Sequence, residues 1–189
     1  MRLRLLSLLF IGVVTMFGAG VAQGKECKDV SFPDQAQVDG TNLTLNGLGL
    51  RQATVLKVNV YVAALYVVKP SNDAKAILES NTPKELILHF VRNVSASDLN
   101  KAWEEGFDKQ ASAFKDHLAM LKGWMTDMKT GERLMFVHKP GTGVQVVVNG
   151  TVKGTIKGDD FAKAFFAIWL VANPPNPGLK TGLLGGVCG

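Results

Sequence analysis

Alternating apolar and polar residues predict β-strands in several parts of the chain. From Val55 to Val68, apolar residues first occupy every second position, and residues 63–68 are wholly apolar. This pattern is typical of a long strand whose second face is covered for only part of its length. Residues 35–46 predict a hairpin around the tight turn Asp39-Gly40. Later strands are predicted at residues 85–91, 133–138, 144–148 and 151–156.

Helices are predicted between these strands and after them. Ser95 begins a capping pattern, and apolar residues then recur at helical spacing. A second helix is predicted from Phe114 to Met125. Asp159 or Asp160 is expected to cap a last, largely buried helix, which the proline-rich segment 174–178 ends.

The order of these elements predicts the fold class. Strands occur in hairpins, while helices form one block between strands and one block after them, which indicates α+β rather than alternating βαβ units. We therefore expect one domain over residues 23–189, an antiparallel β-sheet backed by a layer of helices in an open-faced sandwich. A length of 189 residues, of which 47% are hydrophobic and 20% are charged, agrees with a single globular domain.

The first 22 residues have the pattern of a secretory signal peptide. Arg2 and Arg4 precede an apolar run from Leu5 to Ala19, and the small residues Gly20-Val21-Ala22 follow it. An uncleaved membrane anchor is the alternative, but polar residues and glycines interrupt the run. We expect cleavage after residue 22, a periplasmic or secreted protein, and no membrane span in the mature chain.

Removal of the signal peptide changes the apparent charge. The full chain has 21 Lys and Arg against 16 Asp and Glu, a net charge of +5. Because two of the basic residues lie in the signal peptide, the remaining chain carries +3. This excess is too small to indicate a nucleic-acid partner, and none is expected.

Cys27 and Cys188 are the two cysteines of the chain and lie near the two ends of its mature part. An oxidising compartment would permit a disulfide, and the alternative is two unrelated thiols near frayed ends. A bond across this separation of 161 residues would stabilise the fold by up to about 5 kcal/mol in the chain-entropy model. Neither cysteine has a second Cys or a His at metal spacing, so neither predicts a metal or redox site.

The sequence lacks the familiar catalytic and cofactor motifs. It contains no Gly-x-Ser-x-Gly element, and its three histidines are His89, His117 and His138, which lie in different predicted elements. The glycine-rich segment 47–51 leads into a strand and lacks the Lys-Ser/Thr pair of a phosphate loop. Its glycines are expected to allow a sharp bend. We therefore predict no metal and no cofactor, and we assign no catalytic residue.

Arg51 is the candidate ligand-binding residue. It follows the glycine-rich segment and precedes the long strand that carries Tyr61 and Tyr66. A guanidinium with one or two phenol hydroxyls is suited to binding a small anion such as a carboxylate. The alternative is an ordinary surface arginine at the start of a strand.

Four sequence blocks, in order, resemble the bacterial chalcone isomerase-like family. They are NGLGLR at 46–51, KVNVYVAALYV at 57–67, LHFVRNVS at 88–95 and DFAKAFFAIWL at 160–170. The resemblance implies the chalcone isomerase fold, in which a ligand cleft lies between an antiparallel sheet and a helical layer. This fold is shared by flavonoid-forming enzymes, fatty-acid-binding proteins and members without a known reaction.

The resemblance also implies roles for particular positions. In the enzymes, an arginine after a glycine-rich bend stabilises a phenolate, and a Thr on the next strand and a Tyr near a helix start assist at the ketone oxygen. Arg51 matches the arginine, and the Thr position falls near Tyr61. The Tyr position falls within residues 95–99, which contain no tyrosine. Because one such donor stabilises a transition state by about 3 to 4 kcal/mol, its loss favours a non-catalytic protein.

Three functions are open at this point. The favoured one is an exported protein that binds a small amphipathic anion, such as a fatty acid, through Arg51, with Tyr61 or Tyr66 adding a hydrogen bond. The second is an intramolecular lyase of the chalcone isomerase type that acts on an unsaturated ketone. The third is a structural or partner-binding envelope protein in which Arg51 pairs with a carboxylate. An open cleft would support the first, whereas a cleft filled by Trp103 or Phe107 would exclude it.

Overall fold

The computed structural model describes residues 24–188, so the predicted signal peptide lies outside the described residues. Its strands are β1 (Gly24–Cys27), β2 (Val30–Pro33), β3 (Gln35–Val38), β4 (Thr41–Ala53), β5 (Val58–Val67), β6 (Lys84–Phe90), β7 (Arg133–Lys139), β8 (Gly143–Val148) and β9 (Thr151–Lys157). Its helices are α1 (Ala74–Glu79), α2 (Ala96–Gln110), α3 (Lys115–Gly123), α4 (Asp159–Leu170) and α5 (Pro177–Leu183), and a 3-10 turn at Ser112–Phe114 precedes α3.

Strands β3 to β9 form one antiparallel sheet in which each strand pairs with the next along the chain. Tight turns make this order possible. Asp39-Gly40 and Asn149-Gly150 connect their strands with positive φ at both positions, which is the conformation of the favoured two-residue hairpin turn. Together with the helices, the sheet confirms the predicted α+β fold.

Helices α2 and α4 cover one face of the sheet with aromatic side chains. Trp103 from α2 stacks on Phe165 of α4, with 5.9 Å between ring centroids, and both rings also contact Phe136 of β7. The Ser95 hydroxyl accepts a hydrogen bond from the Asp98 backbone N–H over 3.1 Å, which confirms the predicted start of α2. This aromatic layer is the main core of the domain.

The start of α4 differs from the prediction. Gly158 is the capping residue, and Asp159 and Asp160 are the first two residues of the helix. The Asp159 carboxylate instead accepts hydrogen bonds from the Gly141 backbone N–H and lies 3.0 Å from Nε2 of His138. The Asp159 side chain, which the sequence pattern assigned to capping, therefore binds the β7–β8 turn and strand β7 instead.

The glycine-rich segment 47–51 is part of strand β4, and the predicted bend at this place is wrong. Its glycines permit close packing of helix α5 against the strand. A Cβ atom on Gly49 would lie 2.3 Å from the carbonyl oxygen of Leu179, and one on Gly47 would lie 2.1 Å from that of Gly182. The sequence pattern does not predict helix α5, because the proline-rich segment before it indicates only the end of α4. Pro177 occupies its first turn, where proline is well tolerated.

The second face of the sheet is covered in part by the β1–β2 hairpin. Cys27 ends β1 and forms a disulfide with Cys188, with 5.4 Å between the Cα atoms, which confirms the predicted pairing. Backbone hydrogen bonds join the same C-terminal segment to Leu48 of β4. The disulfide therefore holds the first hairpin and the C-terminal segment together beside β4. Among residues 24–188, no helix is long and apolar enough to cross a bilayer.

Candidate ligand-binding site

A cavity of about 550 Å³ lies between the sheet and helices α2 and α4. The end of the β4–β5 hairpin, the segment that follows β6 and the loop after α4 complete its walls. Its volume is within the range of roughly 300 to 1,000 Å³ that small-molecule sites have. Trp103 lines the cavity, whereas Phe107 does not, so neither side chain fills it. Its apolar lining includes Val60, Leu88, Leu99, Trp103, Ile168 and Trp169.

Arg51 and Tyr61 lie directly opposite each other on β4 and β5, and both side chains line this cavity. One guanidinium nitrogen of Arg51, Nη1, donates to the carbonyl oxygens of Gln52 and, over 2.8 Å, Pro175. These two carbonyls fix the guanidinium on the wall of the cavity. The remaining guanidinium N–H groups make no hydrogen bond to the described residues.

No carboxylate within residues 24–188 forms an ion pair with Arg51. The partner-binding hypothesis expected such a pair. An arginine at a largely apolar cavity, with unused donors and no ion-paired carboxylate among the described residues, has the charge and the hydrogen-bonding capacity to receive an anion.

Asn176 fixes the loop that holds Arg51. Its side-chain oxygen accepts from the Gln52 backbone N–H over 3.0 Å, and its side-chain nitrogen donates to the Leu50 carbonyl over 3.0 Å. The amide thus pairs with two backbone groups of β4 in the part of the strand that has no β3 partner. The preceding residue, Pro175, has its carbonyl beside Arg51. Sequence analysis missed this residue. The signal was an asparagine between two prolines, since Asn side chains commonly bind backbone groups in turns.

Tyr61 contributes a protonated phenol to the site. Its hydroxyl oxygen accepts a hydrogen bond from Nε1 of Trp169 over 3.1 Å, and no described residue accepts its proton. Burial raises the pKa of Tyr61, and the Trp169 hydrogen bond and the charge of Arg51 offset only part of that rise. The hydroxyl is therefore neutral at physiological pH and keeps a proton to donate.

Tyr66 lies outside this cavity. Residues five positions apart on a strand point to opposite faces of a sheet, and Tyr66 packs on the face covered by the β1–β2 hairpin. Its hydroxyl donates to the Pro33 carbonyl over 2.9 Å, and burial raises its pKa. The structure thus brings Arg51 and Tyr61 together and places Tyr66 in a structural contact.

The start of α2 provides the part of the wall where the family's enzymes have a tyrosine. Here the Ser95 hydroxyl is used in capping, while Asp98 and Leu99 line the cavity. Two turns into the helix, the buried indole N–H of Trp103 has no partner among the described residues. A buried donor without a partner is uncommon, and no sequence pattern marked Trp103 as a donor at the cavity.

The exposed rim of the cavity carries three basic and two acidic side chains. Arg92, Lys101 and Lys109 contribute positive charge, whereas Asp98 and Glu105 contribute negative charge. Within the described part of the chain, no group of three His, Cys, Asp or Glu side chains is arranged to hold a metal ion.

Comparisons with known proteins agree with this architecture. The profile of the chalcone isomerase-like family matches residues 24–185. Among solved structures, a fatty-acid binding protein of Arabidopsis thaliana is similar with a TM-score of 0.67 at 14% sequence identity, over 83% of this chain and 92% of that one. At this identity the likeness establishes the fold alone. A search of curated proteins found no match. The family profile covers nearly all of the described residues and confirms the resemblance seen in the sequence blocks: the chain belongs to the chalcone isomerase-like family.

Proposed function

We propose that this protein binds a small amphipathic anion, such as a fatty acid, in the cavity between the sheet and the helices. The observation that carries the proposal is the Arg51 guanidinium, which lines an apolar cavity beside Tyr61 with donors that no described residue uses. A ligand with an anionic head group and an apolar tail fits this combination. The similar Arabidopsis structure is that of a fatty-acid binding protein, which supports the same class of ligand.

The polar and apolar parts of the wall suggest how such a ligand is oriented. Its carboxylate accepts hydrogen bonds from Arg51 and from the hydroxyl of Tyr61. Its tail lies against the apolar lining formed by residues such as Leu88 and Ile168. Each hydrogen bond to a charged group contributes about 1.5 to 3 kcal/mol. Each methylene removed from water contributes about 0.8 kcal/mol, so a chain of moderate length supplies most of the affinity.

The proposal includes no chemical reaction. A chalcone isomerase needs hydroxyl donors at the ketone oxygen, and the start of α2 offers leucine and a capping serine where the family's enzymes have tyrosine. When a 2′-hydroxychalcone is incubated with the protein, we expect its absorbance to decay at the uncatalysed rate. A faster decay that disappears in an Arg51→Met variant would instead support the isomerase hypothesis.

We also propose that residues 1–22 direct the chain to the periplasm or the medium and are then removed. The disulfide between Cys27 and Cys188 supports this proposal, because such bonds persist mainly in oxidising compartments. The N-terminal residue of the purified protein, determined by mass spectrometry, tests the cleavage after Ala22.

Native mass spectrometry of the protein purified from its own compartment tests ligand binding directly. We expect a population with one additional mass of a few hundred daltons that is released on denaturation and identified as a carboxylic acid. Titration of ligand-free protein with dodecanoate should then saturate at one molecule per chain. A protein that carries no ligand and does not bind any fatty acid between eight and sixteen carbons would contradict the proposal.

A further inference from the structure

Two exposed apolar side chains stand at the end of the β4–β5 hairpin, next to the cavity. We call residues 54–57, which connect these strands, the apolar tip. Val55 is 97% exposed and Leu56 is 83% exposed, more than any other large hydrophobic residue of the described chain. Turns are normally built from polar residues and glycine, so two adjacent apolar side chains in this position call for a partner.

The apolar tip has a defined conformation. The Lys57 backbone N–H donates to the Thr54 carbonyl over 3.1 Å, and the Leu56 backbone N–H lies 3.3 Å from the Thr54 hydroxyl oxygen. Thr54 and Lys57 both have positive φ, at 62° and 51°, a conformation that residues other than glycine seldom adopt. The turn thus presents Val55 and Leu56 to solvent in a fixed arrangement and does not fold them back onto the domain.

The apolar tip adjoins the cavity, whose exposed rim carries the acidic Asp98 and Glu105 as well as basic side chains that are not ion-paired. Ala53 and Thr54, at its base, are part of the cavity lining. Lys57 belongs to the tip itself, and Arg92 and Lys109 are on the cavity rim. These three side chains are exposed, and none of them forms an ion pair with a described residue. Exposed apolar side chains with an adjacent cation, on a surface that carries further unpaired cations, are typical of proteins that bind anionic membranes.

We propose that the apolar tip docks the protein on a lipid bilayer with anionic head groups, so that a single-chain amphiphile passes between the bilayer and the cavity. This inference rests on the proposed function, because it assigns the source of the cavity's ligand. Val55 and Leu56 enter the boundary between head groups and acyl chains. Lys57, Arg92 and Lys109 face the head groups, and the tail of the ligand moves along the apolar wall beside the tip.

Vesicle flotation with the mature, disulfide-bonded protein tests this proposal. Vesicles of phosphatidylcholine with phosphatidylglycerol should carry the protein to the top of the gradient, whereas vesicles of phosphatidylcholine alone should carry much less. The double variant Val55→Ser/Leu56→Ser should bind the anionic vesicles about tenfold more weakly, because it lacks the apolar insertion. Lys57→Gln should weaken binding less and should reduce its salt dependence. Val152→Ser, which changes an exposed valine of β9, is the matched control and should bind as the wild type does.

Octanoate titration without vesicles separates this proposal from the proposed function. The double variant should bind octanoate with wild-type affinity, since neither substituted side chain lines the cavity. A protein that binds octanoate but fails to float with anionic vesicles would overturn membrane docking and leave ligand binding intact. A protein that floats but binds no octanoate would overturn ligand binding alone. Dimerisation that is lost in the double variant, without flotation, would assign the apolar tip to a second copy and overturn membrane docking.

Discussion

Trp169 donates its indole hydrogen bond to the hydroxyl oxygen of Tyr61 over 3.1 Å, which joins helix α4 to strand β5 at the wall of the cavity. Both side chains are buried. The contact leaves the Tyr61 proton without a described acceptor, so the phenol is available to a ligand. The same hydrogen bond therefore supports the packing of the helix layer and, in the proposed function, orients a donor toward the ligand.

Tyr61→Phe should reduce both stability and ligand affinity. It leaves a buried indole N–H without a partner, which costs about 1 to 3 kcal/mol of unfolding free energy. Tyr66→Phe is the matched control, because it removes a hydroxyl that donates to Pro33 on the other face of the sheet. It should lower stability to a similar extent and leave dodecanoate affinity unchanged. Urea denaturation and ligand titration of both variants give the comparison, and equal affinity losses would contradict the assignment of Tyr61.

Ligand affinity should rise with chain length and then level off. Each methylene that reaches the apolar wall adds about 0.8 kcal/mol, or roughly a fourfold gain in affinity, until the tail fills the cavity. Calorimetric titrations with octanoate, decanoate, dodecanoate and tetradecanoate measure this dependence. A dicarboxylate of the same length as the best ligand should bind much more weakly, because its second charge would be buried against apolar side chains. If affinity did not depend on chain length, the ligand tail would lie outside the cavity, which would contradict the prediction.

Gly49→Ala should destabilise the fold by separating α5 from β4. The added Cβ would lie 2.3 Å from the Leu179 carbonyl oxygen, and such overpacking costs about 1 to 3 kcal/mol or more. Gly123→Ala, at the end of α3, is the control because its added Cβ would have no atom within 4 Å other than those of its chain neighbours and its own helix backbone. It should change the unfolding free energy by less than about 1 kcal/mol. Similar denaturation midpoints for Gly49→Ala and the wild type would show that the contact with α5 is adaptable.

Lys84 should make stability depend on pH in the alkaline range. Its ammonium lies 3.2 Å from Nδ1 of His138, and burial lowers its pKa to about 8, although the charge of Asp159 opposes this shift. Between about pH 8 and the ordinary lysine pKa of about 10.4, the unfolded chain binds more protons than the folded chain. The free energy of unfolding contributed by this group therefore rises with pH across that window and is constant below it.

The pH dependence of Lys84→Met isolates this contribution. The difference in unfolding free energy, wild type minus Lys84→Met, should increase between pH 7.5 and pH 10, as measured by urea denaturation. Lys75→Met, which removes an exposed lysine of α1, should follow the wild type at both pH values. A constant difference between the wild type and Lys84→Met would show that Lys84 titrates alike in the folded and unfolded chains.

Most of the fold could be predicted from local sequence, because the sheet is a meander of strands that are adjacent along the chain. Alternation of side chains marks such strands, and turn pairs such as Asn149-Gly150 join them directly. Helix α5 could not be predicted in this way, since it depends on the close approach of Gly47 and Gly49 to residues far along the chain. The same glycines indicated a bend when their sequence was considered alone.

The site could be predicted only in part. Arg51 is indicated by its position between the glycine-rich segment and the strand that carries Tyr61, and the family resemblance supports both residues. Tyr66 could have been separated from Tyr61 by strand periodicity alone, since an odd separation reverses the face. Asn176 acts through hydrogen bonds to a distant strand, and the indole N–H of Trp103 is notable because no described residue accepts from it; no local sequence pattern reports either property.

The affinity of Arg51→Met for a fatty acid and for its methyl ester tests the central claim most directly. Loss of the charged hydrogen bonds should weaken dodecanoate binding by about 1.5 to 3 kcal/mol, which is at least tenfold, while methyl dodecanoate binding changes by less than about threefold. Arg133→Met, which removes an arginine placed over Phe32 on the other face of the sheet, should bind both ligands as the wild type does. A folded Arg51→Met variant with wild-type affinity for dodecanoate would contradict the assignment of Arg51 to the ligand head group.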